Sequence, residues 1–127
     1  MDTIIIAIPS ETPGGLDANI GAHFGHCDLY TIVEAKGREI IDVRTLPNVP
    51  HQQGGCMAPV NHLAQNGVNV LIAGGMGMRP LMGFQQVGVR VFHGSGAPSV
   101  GHAVQALLMG SLPAFTTEFT CGGGGGH

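Results

Sequence analysis

The sequence predicts a single α/β domain of three layers, a mixed five-stranded sheet flanked by helices. Three observations predict it. Two β-branched runs adjoin across a short turn, which is the pattern of an antiparallel hairpin. Later strand-like runs alternate with helical stretches, the pattern of βαβ units. The chain has 127 residues, 43% hydrophobic and 10% charged, enough to bury one core.

The elements follow in order. "TIIIAIP" (3–9) is a β-branched run ended by proline and predicts a strand buried on both faces. "SETPGGLDANIGAHFGHC" (10–27) is punctuated by Pro13 and several glycines and predicts a long loop. "DLYTIVEA" and "REIIDVRTL" predict two antiparallel strands turning at Lys36-Gly37. "PNVPHQQGGC" (47–56) predicts a second loop. "APVNHLAQNG" predicts a helix, with Pro59 in its first turn, Gly67 past its end, and Val60, Leu63 and Ala64 on one apolar face. "VNVLIAGG" predicts a strand, "RPLMGFQQVG" a helix between Pro80 and Gly88, and "VRVFHG" a short strand. "PSVGHAVQALLMGSL" predicts the last helix, with Val100, Val104, Leu107 and Leu108 as its apolar stripe. Residues 1–113 are expected to form the domain and residues 114–127, ending in "CGGGGGH", a flexible tail.

Composition narrows the function. Net charge is −3, with five Lys and Arg, so the basic stripe that a nucleic-acid partner requires is missing. The apolar runs are too short to span a bilayer, and no secretory leader is visible. The expectation is a cytoplasmic protein, a monomer or weak dimer. Three cysteines cannot all pair within one chain, and without a leader free thiols or metal ligands are favoured over disulfides.

The chemistry-bearing residues gather in three glycine-containing segments. "AHFGHC" holds His23, His26 and Cys27, and "HQQGGC" holds His51, Gly54, Gly55 and Cys56. Imidazole and thiolate are the donors that select copper, zinc and metal–sulfur centres. His26, Cys27, His51 and Cys56 are therefore candidate metal ligands. The same residues admit a second reading, in which the thiols are small buried hydrophobes and His23 packs beside Phe24. Cys56 opens a predicted helix, where a thiolate and a bound anion are both favoured. "IAGGMGMRP" places Gly74, Gly75 and Gly77 at the end of a strand, with Arg79 at the start of a helix. That arrangement can cradle an anion. It lacks the third glycine of a dinucleotide fingerprint and the G-K-[ST] of a P-loop. His93 ends a strand and can line the same crevice. His62 and His102 are expected on solvent-exposed helix faces. The tail, with Cys121 and His127, either wraps a bound centre or is inert. No nucleophile elbow or paired carboxylates mark a catalytic site, so no enzymatic activity is expected.

Taken together, "IIIAIPS", "GLDANIGAHFGHCDLYTIVE", the "GGC" helix start, "GVNVLIAGGMGMRPL" and "GVRVF" resemble the dinitrogenase iron–molybdenum cofactor biosynthesis family. That family includes cofactor carriers and the orange protein of sulfate reducers. The resemblance runs from the first strand to the last helix. It implies a ribonuclease-H-like fold without nuclease activity. It also implies non-catalytic binding of a metal–sulfur cluster, of molybdenum with iron or with copper and sulfide, in the loops around His23–Cys27, His51–Cys56 and Gly74–Arg79. A cluster donor or acceptor protein is the expected partner. The alternatives are a regulatory domain that binds a small anion or nucleotide at Gly74–Arg79, and a copper or zinc buffer.

Overall fold

The computed structural model describes residues 3–20, 29–47, 57–76, 78–94 and 97–115, with backbone alone at 57–59, 78 and 79. The strands are β1 (Thr3–Ser10), β2 (Leu29–Lys36), β3 (Glu39–Pro47), β4 (Val70–Ala73) and β5 (Arg90–His93). The helices are α1 (Met57–Gln65), α2 (Met78–Val87) and α3 (Val100–Leu108). This is the predicted order of elements.

The five strands lie in the order β3-β2-β1-β4-β5. β1 pairs antiparallel with β2, and β2 antiparallel with β3. β1 pairs parallel with β4, and β4 parallel with β5. The sheet is thus mixed, with the hairpin on one side of β1 and the βαβ half on the other. The cause is connection length, since two residues can only reverse a strand whereas a helical crossover returns it parallel. The turn is Gly37-Arg38, one residue later than the predicted Lys36-Gly37, and Gly37 has φ +63°.

The alternation of side chains along the strands builds two cores. Ala7, Tyr30, Ile32, Leu71 and Val91 face Val60 and Leu63 of α1 and Leu81 and Phe84 of α2. Ile6, Ile8, Val33, Ala35, Val70 and Ile72 face Val100, Ala103 and Val104 of α3. The central strand β1 is covered on both sides, which explains its unbroken apolar run.

The two sheet edges are protected differently. On β3, Arg44 lies 2.9 Å from Asp42 and 3.8 Å from Glu34. A bulge at Glu34/Ala35 leaves Ile41 without a partner on β2. Charge and bulge both discourage pairing with another strand. Such exposed ion pairs contribute only about 0–1 kcal/mol. Beyond β5 the chain itself returns: Ala114 bridges antiparallel to Phe92, and the Phe115 amide donates to the Val91 carbonyl at 2.9 Å. Phe115 is buried in the α1/α2 core. Ala114 and Phe115 therefore pack with the domain, past the expected boundary at 113. Residues 116–127, with Cys121 and His127, lie outside the described residues. The last helix is shorter than predicted: Ser99 caps its start, and Gly110 with φ +77° lies just past its end.

Candidate functional site

Parallel pairing aligns the carboxyl ends of β1, β4 and β5 at one end of the sheet. The hairpin adds to the same end, because Ser10 pairs with Leu29 and Leu29 with Pro47. The described residues that bound the segments 21–28 and 48–56 therefore meet there. The glycine turn Gly74–Met76 follows β4 at that end, and His93 closes β5 beside it. Open α/β sheets bind ligands outside the carboxyl ends of their strands.

All three helices start at this end, but they differ in what their first amides meet. The Val100 and Gly101 amides of α3 donate to the carbonyls of Ala18 (2.9 Å) and Leu16 (2.7 Å). A Cβ on Gly101 would lie 3.1 Å from the Leu16 carbonyl oxygen, so glycine permits this close approach. Ser99 Oγ accepts from the His102 amide at 3.3 Å. The start of α3 is thus occupied by the 16–18 strap and its own cap. The starts of α1 and α2 adjoin the segments that carry the predicted cysteine and arginine. Unpaired amides of a helix start carry partial positive charge and favour anions.

The strap is held by a relay of buried hydroxyls. The Gly15 amide donates to Thr31 Oγ1 at 3.1 Å, and Ser10 Oγ donates to the Ile8 carbonyl at 2.7 Å. Thr31 Oγ1 lies 2.8 Å from Ser10 Oγ. The Ser10 proton is committed to Ile8, so Thr31 is the donor of this pair. Both side chains are buried and satisfied. Sequence reasoning missed this pair. The only local signal is a small hydroxyl side chain next to the apolar run of each strand, Ser10 after that of β1 and Thr31 before that of β2, and their partnership appears only with the register.

The predicted site residues divide as follows. Gly74 is exposed and Gly75 buried at the mouth of the β4–α2 turn. Met76 packs into the core and is not an exposed donor. Arg79 lies in the first turn of α2, and its side chain is among those not described. His23, His26, Cys27, His51, Gly54, Gly55, Cys56 and Gly77 lie outside the described residues. Cys56 immediately precedes Met57, where α1 begins. Among the described residues, no group of three or more His, Cys, Asp or Glu could hold a metal ion.

Three further histidines are placed. His62, expected in solvent, is half-buried, and its Nε2 lies 3.0 Å from the Pro47 carbonyl, tying α1 to the end of β3. His93 packs against the Phe115 ring with centroids 5.6 Å apart. His102 is exposed as expected, with Nδ1 2.7 Å from Ser99 Oγ. Among the described residues, no helix is long and apolar enough to cross a membrane.

Comparison with known proteins extends this picture. The family model described as dinitrogenase iron-molybdenum cofactor matches residues 2–110. An uncharacterised protein of Methanocaldococcus jannaschii is 31% identical over 115 residues, 87% of this chain and 90% of its own. The apo form of the orange protein from Desulfovibrio gigas is similar at TM-score 0.78 and 27% identity, over 88% of this chain and 92% of that one. A second M. jannaschii protein has TM-score 0.72 over 91% and 98% of the two chains. At 16% identity its likeness is one of fold alone.

Proposed function

Because the chain belongs to the dinitrogenase iron-molybdenum cofactor family, we propose that it is a non-catalytic carrier or storage protein for an anionic metal–sulfur cluster. The family and the orange-protein neighbour suggest a cofactor-binding or carrier role. The observation that carries the finer reading is the convergence at one end of the sheet. The glycine turn after β4 and the described boundaries of the two Cys- and His-bearing segments share that end. Two helix starts adjoin it, and the third is occupied by the strap. The cargo is molybdenum with iron or copper and sulfide. In this reading the amides of Gly54, Gly55, Gly74, Gly75 and Gly77 and the Arg79 guanidinium hold it by charge-assisted hydrogen bonds. His26, Cys27, His51 and Cys56 supply direct ligation, and His23 lines the site. Weak, reversible bonding suits a protein that must release its cargo to an acceptor protein. The setting is the cytoplasm, and the chain acts as a monomer or weak dimer.

The test is metal and sulfide analysis of protein isolated without oxygen, followed by titration with thiometallate monitored by visible absorption. Arg79→Ala is expected to weaken cluster binding about tenfold while leaving the thermal transition in place. Undiminished retention by Cys56→Ser would assign the cargo to the noncovalent cradle. Unchanged affinity in the combined Arg79→Ala, Cys27→Ser, Cys56→Ser protein would place the site elsewhere. A colourless protein that binds a nucleotide at Gly74–Arg79 would favour the regulatory reading.

A further inference from the structure

The opposite end of the sheet carries a second, independent feature. A cleft of about 410 Å³ opens where β1, β4 and β5 begin. Its walls are Ile4, Val70 and Phe92 from the sheet and Leu107, Leu108 and Leu112 from α3 and the chain beyond it. Small-ligand sites have about this size, with mostly apolar walls and a few polar groups that fix orientation. Here the polar group is Arg90. It lines the cleft, and its guanidinium carbon sits 5.2 Å from the centroid of the Phe92 ring. Among the described residues, Arg90 has no carboxylate partner; the ion pairs there are those of Arg44. Gly37 forms another part of the rim, with exposed Lys36 and Arg38 on either side of it in the chain. Lys36, Arg38 and Arg90 are three of the five Lys and Arg in a chain of net charge −3. Glu39 sits opposite Lys36 in the hairpin register and offsets one of them. At the end of α3 the carbonyls of Gln105, Ala106 and Leu107 already accept hydrogen bonds: Met109 donates to Gln105, Gly110 to Leu107, and Ser111 to Ala106 through both its amide and its hydroxyl.

We propose that this cleft binds a small carboxylate with an apolar body, a medium-chain or aromatic acid. The body displaces water from the leucine and isoleucine walls, and the carboxylate meets Arg90 at the lip. The site does not depend on the cargo reading, since it lies at the other end of the sheet and shares no residue with it.

Octanoate is the probe, titrated to about 1 mM against isotope-labelled protein, with 1-octanol as its uncharged counterpart. The methyl resonances of Ile4, Leu107, Leu108 and Leu112 are expected to shift saturably with octanoate. Octanol is expected to bind at least about fivefold more weakly. Arg90→Gln should weaken octanoate about fivefold or more and leave octanol unchanged, whereas Arg90→Lys retains most of the binding. Arg44→Gln, which removes an equal charge from β3, should change nothing. The proposal is overturned if no saturable shift occurs in the cleft, if octanol binds as tightly as octanoate, or if Arg44→Gln and Arg90→Gln act alike. The comparison of octanoate with octanol uses the unaltered protein, so it decides even if a variant folds poorly.

Discussion

Phe84→Ala is expected to destabilise the protein by about 3–5 kcal/mol, lowering Tm by roughly 10–20 °C. Phe84 is fully buried on the inner face of α2, in the core shared by α1, α2 and the sheet. Removing the ring loses its transfer free energy and leaves a cavity that Val60, Leu63 and Leu81 cannot fill without moving two helices. Met82, two residues earlier, is 51% exposed, so Met82→Ala should lie within about 0.5 kcal/mol of the parent. Urea denaturation of the two variants decides the matter. Equal midpoints would show that α2 does not pack through Phe84. The consequence reaches the site, because the same helix begins at the glycine turn after β4.

Gly14→Ala is the second large effect, expected at about 2–4 kcal/mol. Gly14 has φ +79°, a conformation that costs an L-residue about 1–2 kcal/mol. A Cβ there would also lie 2.7 Å from Leu29 Cδ1 and 2.8 Å from Thr45 Cγ2. Leu29 can rotate away, but Thr45 is branched at Cβ and stiff. Gly15 supplies the control. It has φ +94° and open space around the added atom, so Gly15→Ala incurs the backbone term alone. The difference between the two urea midpoints measures the steric part. If Gly15→Ala proves the more damaging, the strap does not seat on β2 and β3 as described.

How much of this was legible in the chain depends on whether the cause is local. The "TIIIAIP" run, the hairpin punctuation at Gly37 and the proline-to-glycine spans of α1 and α2 are local signals, and each element formed where they stand. The common end of the sheet at which the described residues bounding the glycine segments lie was legible for a further reason. Helical crossovers force the parallel strands to finish together, whatever their side chains. What escaped the sequence reading is long-range. Ser10 meets Thr31 across 21 residues, and His62 meets Pro47 across 15. Residues 113–115 return to β5 through a single bridge and two amide bonds, too short a stretch to show any periodicity.

The capture of the first α3 amides by the strap has a spectroscopic consequence. The leading amides of a helix have no partner within it and normally exchange with solvent first. Those of Val100 and Gly101 are bonded to the carbonyls of Ala18 and Leu16. Their deuterium uptake is therefore governed by lifting of the strap and not by fraying of the helix. These two amides form a built-in gauge of motion at the carboxyl end of the sheet, readable in native protein without a label or a mutation.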